Sequence, residues 1–348
     1  MSEITGAVDG MDLSQVPTTF RYEMSAEGKL LAGSSMAKGH GCKSPNGAPP
    51  RPIFSSGTAS SFQIRGKAYM ADRKKVEAAG PMYEMAGMDL VTSERRLPHV
   101  TERVCLKAMA SSLPTLPAGA DVVPPLLIVN VQLPTTAPSL LSNGSDGPGL
   151  QLVLYYRLTA ESAAALEEPG TASEALRLWL TYCASWAEDD ICKGRLKVVA
   201  IVANMDELGL PGFITKYNGK PVLINRSGSY IKGQTTSASG EEVSYLEMGI
   251  NVHAFSFIAK KGLNTLLDRF PEMVLHIGFV IEGRDEVELP EAMLACTTLN
   301  NPPVKGLASL EVDGEEKKEE KLPEAKSVLF AALSSLDPRT TKSVGSLP

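Results

Sequence analysis

Five carboxylates, Glu282, Asp285, Glu286, Glu288 and Glu291, stand within the stretch HIGFVIEGRDEVELPEAMLACTTLN, His276 to Asn300. Two carboxyls brought together by a fold can divide acid and base roles when burial raises the pKa of one of them. Here they crowd a polar turn, and that setting predicts exposed groups. Asp285 and Glu286 also precede Pro290-Glu291, which reads as a helix start, where negative charge meets unpaired N–H groups. The expected role is a charged corner that ends a strand and begins a helix. The four histidines, His40, His99, His253 and His276, are scattered, and no Cys/His grouping has the spacing of a zinc site. His253 at a strand end and His276 inside an apolar run read as hydrogen-bonded structural residues. Nucleotide motifs fail as well. GHGCKSPNG lacks the third glycine, and in NGKPVL Pro221 follows Gly219-Lys220 where a hydroxyl would hold magnesium. AGSSMAKG has Ala37 where a nucleophile turn needs glycine. No metal, cofactor or catalytic residue is assigned.

The basic residues are the stronger candidates. RGKAYMADRKKVEAAG places Arg65, Lys67, Arg73, Lys74 and Lys75 within eleven positions around Tyr69, and SERRLPHV adds Arg95 and Arg96. Such a group could hold phosphate head groups or an anionic membrane surface, at ~1 kcal/mol per Lys or Arg near the lipid. A solvated loop is the competing reading. Lys260 and Lys261 read as the wet face of a helix. Trp179, Tyr182 and Trp186 fall on one face of another helix, and either pack a core or line a cavity.

These residues need a frame, and the 348-residue chain is long enough for one large domain with arms or two small ones. With 43% apolar and 21% charged residues and a mean hydropathy of -0.04, it has the composition of a globular protein. A net charge of -6 argues against nucleic acid, which is bound through clustered Lys and Arg. Five widely spaced cysteines without a C-x-x-C pair predict no disulfide framework and a reducing, cytoplasmic setting. The first residues show no basic-then-apolar leader, and no apolar run reaches the ~18–20 residues of a spanning helix.

Residues 1–61, rich in Gly, Ser and Pro, read as a flexible arm, and 306–348 as a second arm. In the latter, Glu311–Lys326 carries seven acidic and four basic residues, and KSVLFAALSSL beyond it could form a short amphipathic helix. Between the arms, strands are expected over Pro81–Val91, Pro125–Leu133, Leu150–Leu158, Arg195–Ala203, Lys220–Asn225, Ser244–His253 and Met273–Ile281, which are β-branched or aromatic runs bounded by turn residues. TASEALRLWLTYCASW, with Thr171 and Glu174 as a capping box, and AFSFIAKKGLNTLLDRF read as helices. Strands with few helices between them favour an α+β fold, a large mainly antiparallel sheet with two or three packing helices.

The order of these segments resembles the enhanced disease resistance two C-terminal domain family over about residues 62–303. The resemblance rests on FQIRGKAYMADRKKVEAAGPMYEMAGMDL, on LLIVNVQLP followed by SDGPGLQLVLYYRLT, on RLKVVAIVANMDELGL, YNGKPVLI and YLEMGINVHAFSFIAKKGLNTLL, and on GFVIEGRDEVELPEAMLACTTLN. It implies a domain over 62–305 with no known enzymatic activity. Val280 to Leu299 then becomes a strand, a turn and a segment returning to the sheet, a fold corner. In plant relatives this domain follows pleckstrin homology and lipid-transfer domains of proteins that act at membranes in phosphoinositide signalling. The implied function is a non-enzymatic lipid- or phosphoinositide-associated binding module, cytoplasmic and peripheral at membranes. A ligand-free scaffold recruiting protein partners through its arms is the alternative, and an enzyme whose pocket carries no motif the minor one. Two departures stand out. Gly249 and Asn251 in EMGINV occupy positions where relatives are often acidic, and PIFSSGTASSF replaces a frequent tryptophan.

Overall fold

The runs of β-branched and aromatic residues do form strands, and each gains its partner through a register that the local pattern leaves open. A computed structural model describes residues 22–36, 41–42, 51–117, 120, 122–139, 144–167, 173–185 and 194–310. Trp186, Thr171 and the charged tail with its expected helix lie outside the described residues. The main strands are β1 (Phe54–Ser56), β2 (Gln63–Arg65), β3 (Lys75–Glu77), β4 (Tyr83–Ser93), β5 (Leu126–Pro134), β6 (Gly149–Leu158), β7 (Leu196–Val202), β8 (Pro221–Leu223), β9 (Gly228–Thr236), β10 (Glu242–Asn251), β11 (Val274–Ile281) and β12 (Met293–Asn300). The α-helices among the described residues are α1 (Tyr69–Asp72), α2 (Ala160–Ala165), α3 (Glu174–Ser185), α4 (Gly212–Thr215) and α5 (Phe257–Leu267). None is long and apolar enough to cross a membrane.

One curled sheet runs β8-β7-β11-β12-β4-β6-β5-β10-β9, with β1 added to β12. Its neighbours are antiparallel except at β5–β10 and β12–β4, so the sheet is mixed although mainly antiparallel. The fold is α+β. The β12–β4 junction is a single pair, Ala295 with Tyr83, which divides the sheet into a β8–β12 half and a β4–β9 half. Strand β6 lies between β4 and β5 in the second half and is buried along its length except at Arg157. That is why its sequence reads as nearly continuous apolar residues rather than as a clean alternation.

Leu150, Leu152, Leu154 and Tyr156 of β6 point into the main core, where Met88, Leu90, Leu127, Val129, Met248 and Phe279 meet α3 and α5. Trp179 and Tyr182 of α3 are part of this core. The Trp179 ring meets Tyr83 edge-on at 6.1 Å and stacks on Tyr182 at 5.4 Å. Its indole N–H donates to the Tyr83 hydroxyl at 3.2 Å. A space of only about 10 Å³, enough for one water, adjoins Trp179.

On the opposite face of the β4–β9 half lies a second core, in which Leu30, Leu97, Val100, Val104 and Leu106 cover Val91, Leu126, Ile128 and Val153. The expected arm up to Ser61 is therefore in part structural. Leu30, Ser35 and Met36 are fully buried, and β1 is hydrogen-bonded into the sheet. The cause is Asp89, a buried carboxylate of β4 that accepts from the Gly33 amide at 2.7 Å and from the Ser35 amide and hydroxyl at 2.9 and 2.8 Å. Gly33 is required there: its φ is +80° and a Cβ would lie 2.8 Å from Met109 Cε.

The opposite face of the β8–β12 half carries the β2–β3 hairpin. Phe62 and Ile64 pack on Val199, Val280, Met293 and Cys296, and the approach is close because Gly278 has no side chain. A Cβ at Gly278 would lie 2.8 Å from Phe62 Cε1 and 3.0 Å from Met293 Sδ. Gly278→Ala is expected to destabilise the domain by about 1–3 kcal/mol through overpacking, read as a shifted urea midpoint at constant slope. An unshifted midpoint would mean that the hairpin does not seat on β11.

Candidate functional site

The acidic corner is where the hairpin meets the sheet, and it differs from the sequence expectation in two ways. First, Pro290-Glu291 starts no helix. The chain makes a one-turn 3-10 helix at Glu286–Glu288, capped by Asp285, and then enters β12. Met293–Asn300 is buried on both faces, and pairing it into the sheet outweighs the helical reading of the proline-acidic signal. Second, the carboxylates are not all exposed. Asp285 and Glu286 are, whereas Glu288 is half-buried and Glu282 and Glu291 are buried.

Cations from three separate elements make that burial tolerable. Lys197 projects from β7 and donates to Glu291 Oε1 at 2.5 Å. Burial pulls the Lys197 ammonium below its ordinary value, and Glu291 opposes that pull. Glu291 also accepts from the Gly283 amide at 3.0 Å and the Arg65 amide at 3.1 Å. Arg65, on β2, spans the corner: one terminal nitrogen donates to Glu282 at 2.8 Å and the other to the Gly283 carbonyl at 2.6 Å. Glu282 is held from the other side by Arg284 at 3.0 Å, and Arg195 reaches Glu288 at 2.7 Å. Burial pushes Glu288 up, but the hydrogen bonds from Arg195 and the Arg284 amide leave it below the usual carboxylate range.

Above this network lies a cleft of about 200 Å³, walled by Gln63, Ile64, Arg65, Tyr69 and Lys75 of the hairpin and by Lys197, Val199, Pro221, Leu223, Val280, Glu282 and Glu291 of the sheet and corner. The antiparallel register sets Arg65 opposite Lys75, so both reach its mouth. Tyr69 of α1 carries the Arg65 guanidinium at 5.0 Å and the Arg73 guanidinium at 5.7 Å from its ring centre. Arg73 ends α1 with a φ of 57°, which turns the chain back into β3.

The seven basic residues singled out in the sequence thus separate into three groups. Arg65 and Lys67 are neutralised, the latter by Glu174 at 2.9 Å and the Leu289 carbonyl at 2.7 Å. Arg73, Lys74 and Lys75 are exposed and make no ion pair among the described residues. Arg95 and Arg96 follow the far end of β4, whose eleven residues at ~3.3 Å each put about 30 Å of strand between them and the hairpin. The Arg96 amide is bound to Asp146 there. Trp179 and Tyr182 do not line the cleft. Lys197, Glu282 and Glu291 were not recognised as a group. The one local signal was a lysine set among apolar neighbours in RLKVVAIVA.

No solved structure matches the chain. A curated relative from Arabidopsis thaliana, Protein ENHANCED DISEASE RESISTANCE 2-like, is 20% identical over 246 residues, covering 70% of this chain. The chain spans only 27% of that protein's length. The family model described as Protein ENHANCED DISEASE RESISTANCE 2, C-terminal, matches residues 54–301, from strand β1 to the residue after β12. The chain therefore belongs to the family of the ENHANCED DISEASE RESISTANCE 2 C-terminal domain.

Proposed function

We propose that this domain is a non-catalytic binding module for phosphorylated lipid head groups, acting peripherally at anionic membranes. The observation that carries the reading is the cleft beside the β2–β3 hairpin, with Arg73, Lys74 and Lys75 unneutralised at and near its rim. Its volume of about 200 Å³ is below the ~300–1,000 Å³ of sites for larger organic ligands. That size favours a small polar head group over a long acyl chain. The buried network beneath it supports binding rather than turnover. Glu282 and Glu291 are committed to Arg65, Arg284 and Lys197, so neither is free to take a proton from a substrate. The same network fixes the hairpin backbone and so orders the rim before a ligand arrives.

The test is co-sedimentation with phosphatidylcholine vesicles containing a phosphatidylinositol phosphate. Each rim cation is worth ~1 kcal/mol near an anionic surface. The variant Arg73→Glu/Lys74→Glu/Lys75→Glu is then expected to bind at least about a hundredfold more weakly, with its urea midpoint unchanged because all three side chains are exposed. Binding equal to the wild type would remove the cleft rim from the mechanism.

A further inference from the structure

Nine large apolar side chains are conspicuously exposed among the described residues, and five of them belong to the segment of α4 and β8 and to α5. Phe213, Tyr217, Val222 and Leu223 fall within eleven residues of chain, Ile258 comes from α5, and all five are between 39% and 55% exposed. Phe213 and Ile258 are brought together in space. A Cβ on Gly262 of α5 would lie 3.8 Å from the Phe213 ring, and Ile258 stands one turn from Gly262 on the same helix face. Tyr217 follows Phe213 by one helical turn, and its amide donates to the Ile214 carbonyl at 3.0 Å. The chain then runs into β8, the edge strand, whose Pro221 and Leu223 also wall the head-group cleft.

This edge is rigid. Asn218 accepts from the Val202 amide at 2.8 Å and donates to its carbonyl at 3.1 Å, and the Gly219 amide donates to Ala200 at 2.9 Å. It is also cationic, on a chain of net charge -6. From Leu208 to Leu223 there is no acidic residue but two basic ones, Lys216 and Lys220, and α5, Phe257–Leu267, has no acidic residue but carries Lys260 and Lys261. Lys216 and Lys220 both lie over the Tyr217 ring, at 4.9 and 5.6 Å. An exposed tyrosine flanked by lysines, beside Phe and Ile, has an apolar body and a charged margin, the composition that favours a membrane–water interface.

We propose that the α4–β8 edge, with Ile258 of α5, is a bilayer-docking surface that seats Phe213, Tyr217 and Ile258 at the level of anionic lipid head groups. It deepens the head-group reading above and rests on it for the identity of the surface, since Leu223 and Pro221 belong to both sites. The lysines supply long-range attraction to anionic lipid and the apolar side chains supply contact that salt does not screen.

The experiment uses the whole chain in two arms. One measures partition onto phosphatidylcholine vesicles containing phosphatidylserine, with and without a phosphatidylinositol phosphate. The other measures titration with a water-soluble inositol phosphate. Phe213→Ser/Tyr217→Ser/Ile258→Ser is expected to lose vesicle binding at least tenfold while its titration with inositol phosphate matches the wild type. Lys216→Ala/Lys220→Ala, which keeps the apolar surface and guards against a folding artefact in the first variant, is expected to lose about fivefold per lysine, the equivalent of ~1 kcal/mol each. Vesicle binding at the wild-type level in both variants would overturn the docking surface, whatever the cleft does. Loss of vesicle binding in both, with no titration by inositol phosphate even in the wild type, would overturn the cleft and leave the docking surface standing. A wild-type chain that ignores vesicles of both compositions would overturn both.

Discussion

Replacing Glu291 with alanine is expected to destabilise the domain by about 3–5 kcal/mol, enough to unfold a domain of ordinary stability under mild denaturant. The side chain is buried, and its two oxygens serve Lys197, the Gly283 amide, the Arg65 amide and, at 3.8 Å, the Arg65 guanidinium. Alanine leaves a buried ammonium without its hydrogen-bonded counter-charge and two backbone donors with no acceptor, each a cost of desolvation without return. The ion pair itself is a different matter. A buried pair gives little net stability over well-packed apolar residues of the same volume, so Lys197→Met/Glu291→Leu is expected to recover most of the loss. Equilibrium urea denaturation of the wild type, Lys197→Met, Glu291→Leu and the double variant measures the cycle, with Glu291→Ala alongside. A loss below about 1 kcal/mol in Glu291→Ala would mean that water reaches this pair. The double variant also separates stability from binding, because the Arg65 amide loses its acceptor in it. A folded double variant with weakened head-group binding is the outcome expected if the network positions the hairpin.

Asp89→Ala is expected to cost a similar ~3–5 kcal/mol. Four donors, from Gly33, Ser35 (two) and Tyr155, converge on this carboxylate at 2.7–2.9 Å, and removing it strands buried groups at about 1–3 kcal/mol each. Limited proteolysis is the specific readout: cleavage between Tyr22 and Met36 is expected to appear before the sheet is lost. Asp89 also carries a pH signature. Burial raises its pKa, and the Gly33, Ser35 and Tyr155 hydrogen bonds counter this only in part. The folded chain therefore takes up this proton at a higher pH than the unfolded chain, whose Asp titrates near 3.8. Between those values the folded state binds more protons, so unfolding free energy rises as pH falls through the window. Measured against Asp89→Asn, which does not titrate there, the wild type is expected to gain relative stability from neutral pH down toward pH 4. A relative loss over the same range would show that the four donors outweigh burial.

The sequence by itself determined the element types and most of their places. Leu126–Pro134, Gly149–Leu158, Leu196–Val202 and Val274–Ile281 were legible because β-branched and aromatic runs suit a pleated sheet wherever they pair. The α3 face with Trp179 and Tyr182 was legible because helical periodicity needs no partner to be visible. Five strands do not show in the local pattern. Phe54–Ser56, Gln63–Arg65 and Lys75–Glu77 are too short to carry one, Gly228–Thr236 has polar residues on its exposed face at the β9 edge, and Met293–Asn300 follows a proline and an acidic run that imitate a helix start, so that only the family resemblance implies its return to the sheet. Only the tertiary structure decided the site. Arg65 pairs with Glu282 and Glu291 across more than two hundred residues, and Lys197 meets Glu291 through the register of β7 on β11 and the turn into β12. Charge in a sequence is a count of groups, whereas its effect depends on which opposite charge lies within a few ångströms and how much water lies between. That is why Arg65 and Lys67 are neutralised, Arg95 and Arg96 lie past the far end of β4, and Arg73, Lys74 and Lys75 make no ion pair among the described residues. The same reason hid the exposure of the α4–β8 edge, since the strand expected over Lys220–Asn225 does not show in sequence that the sheet ends there.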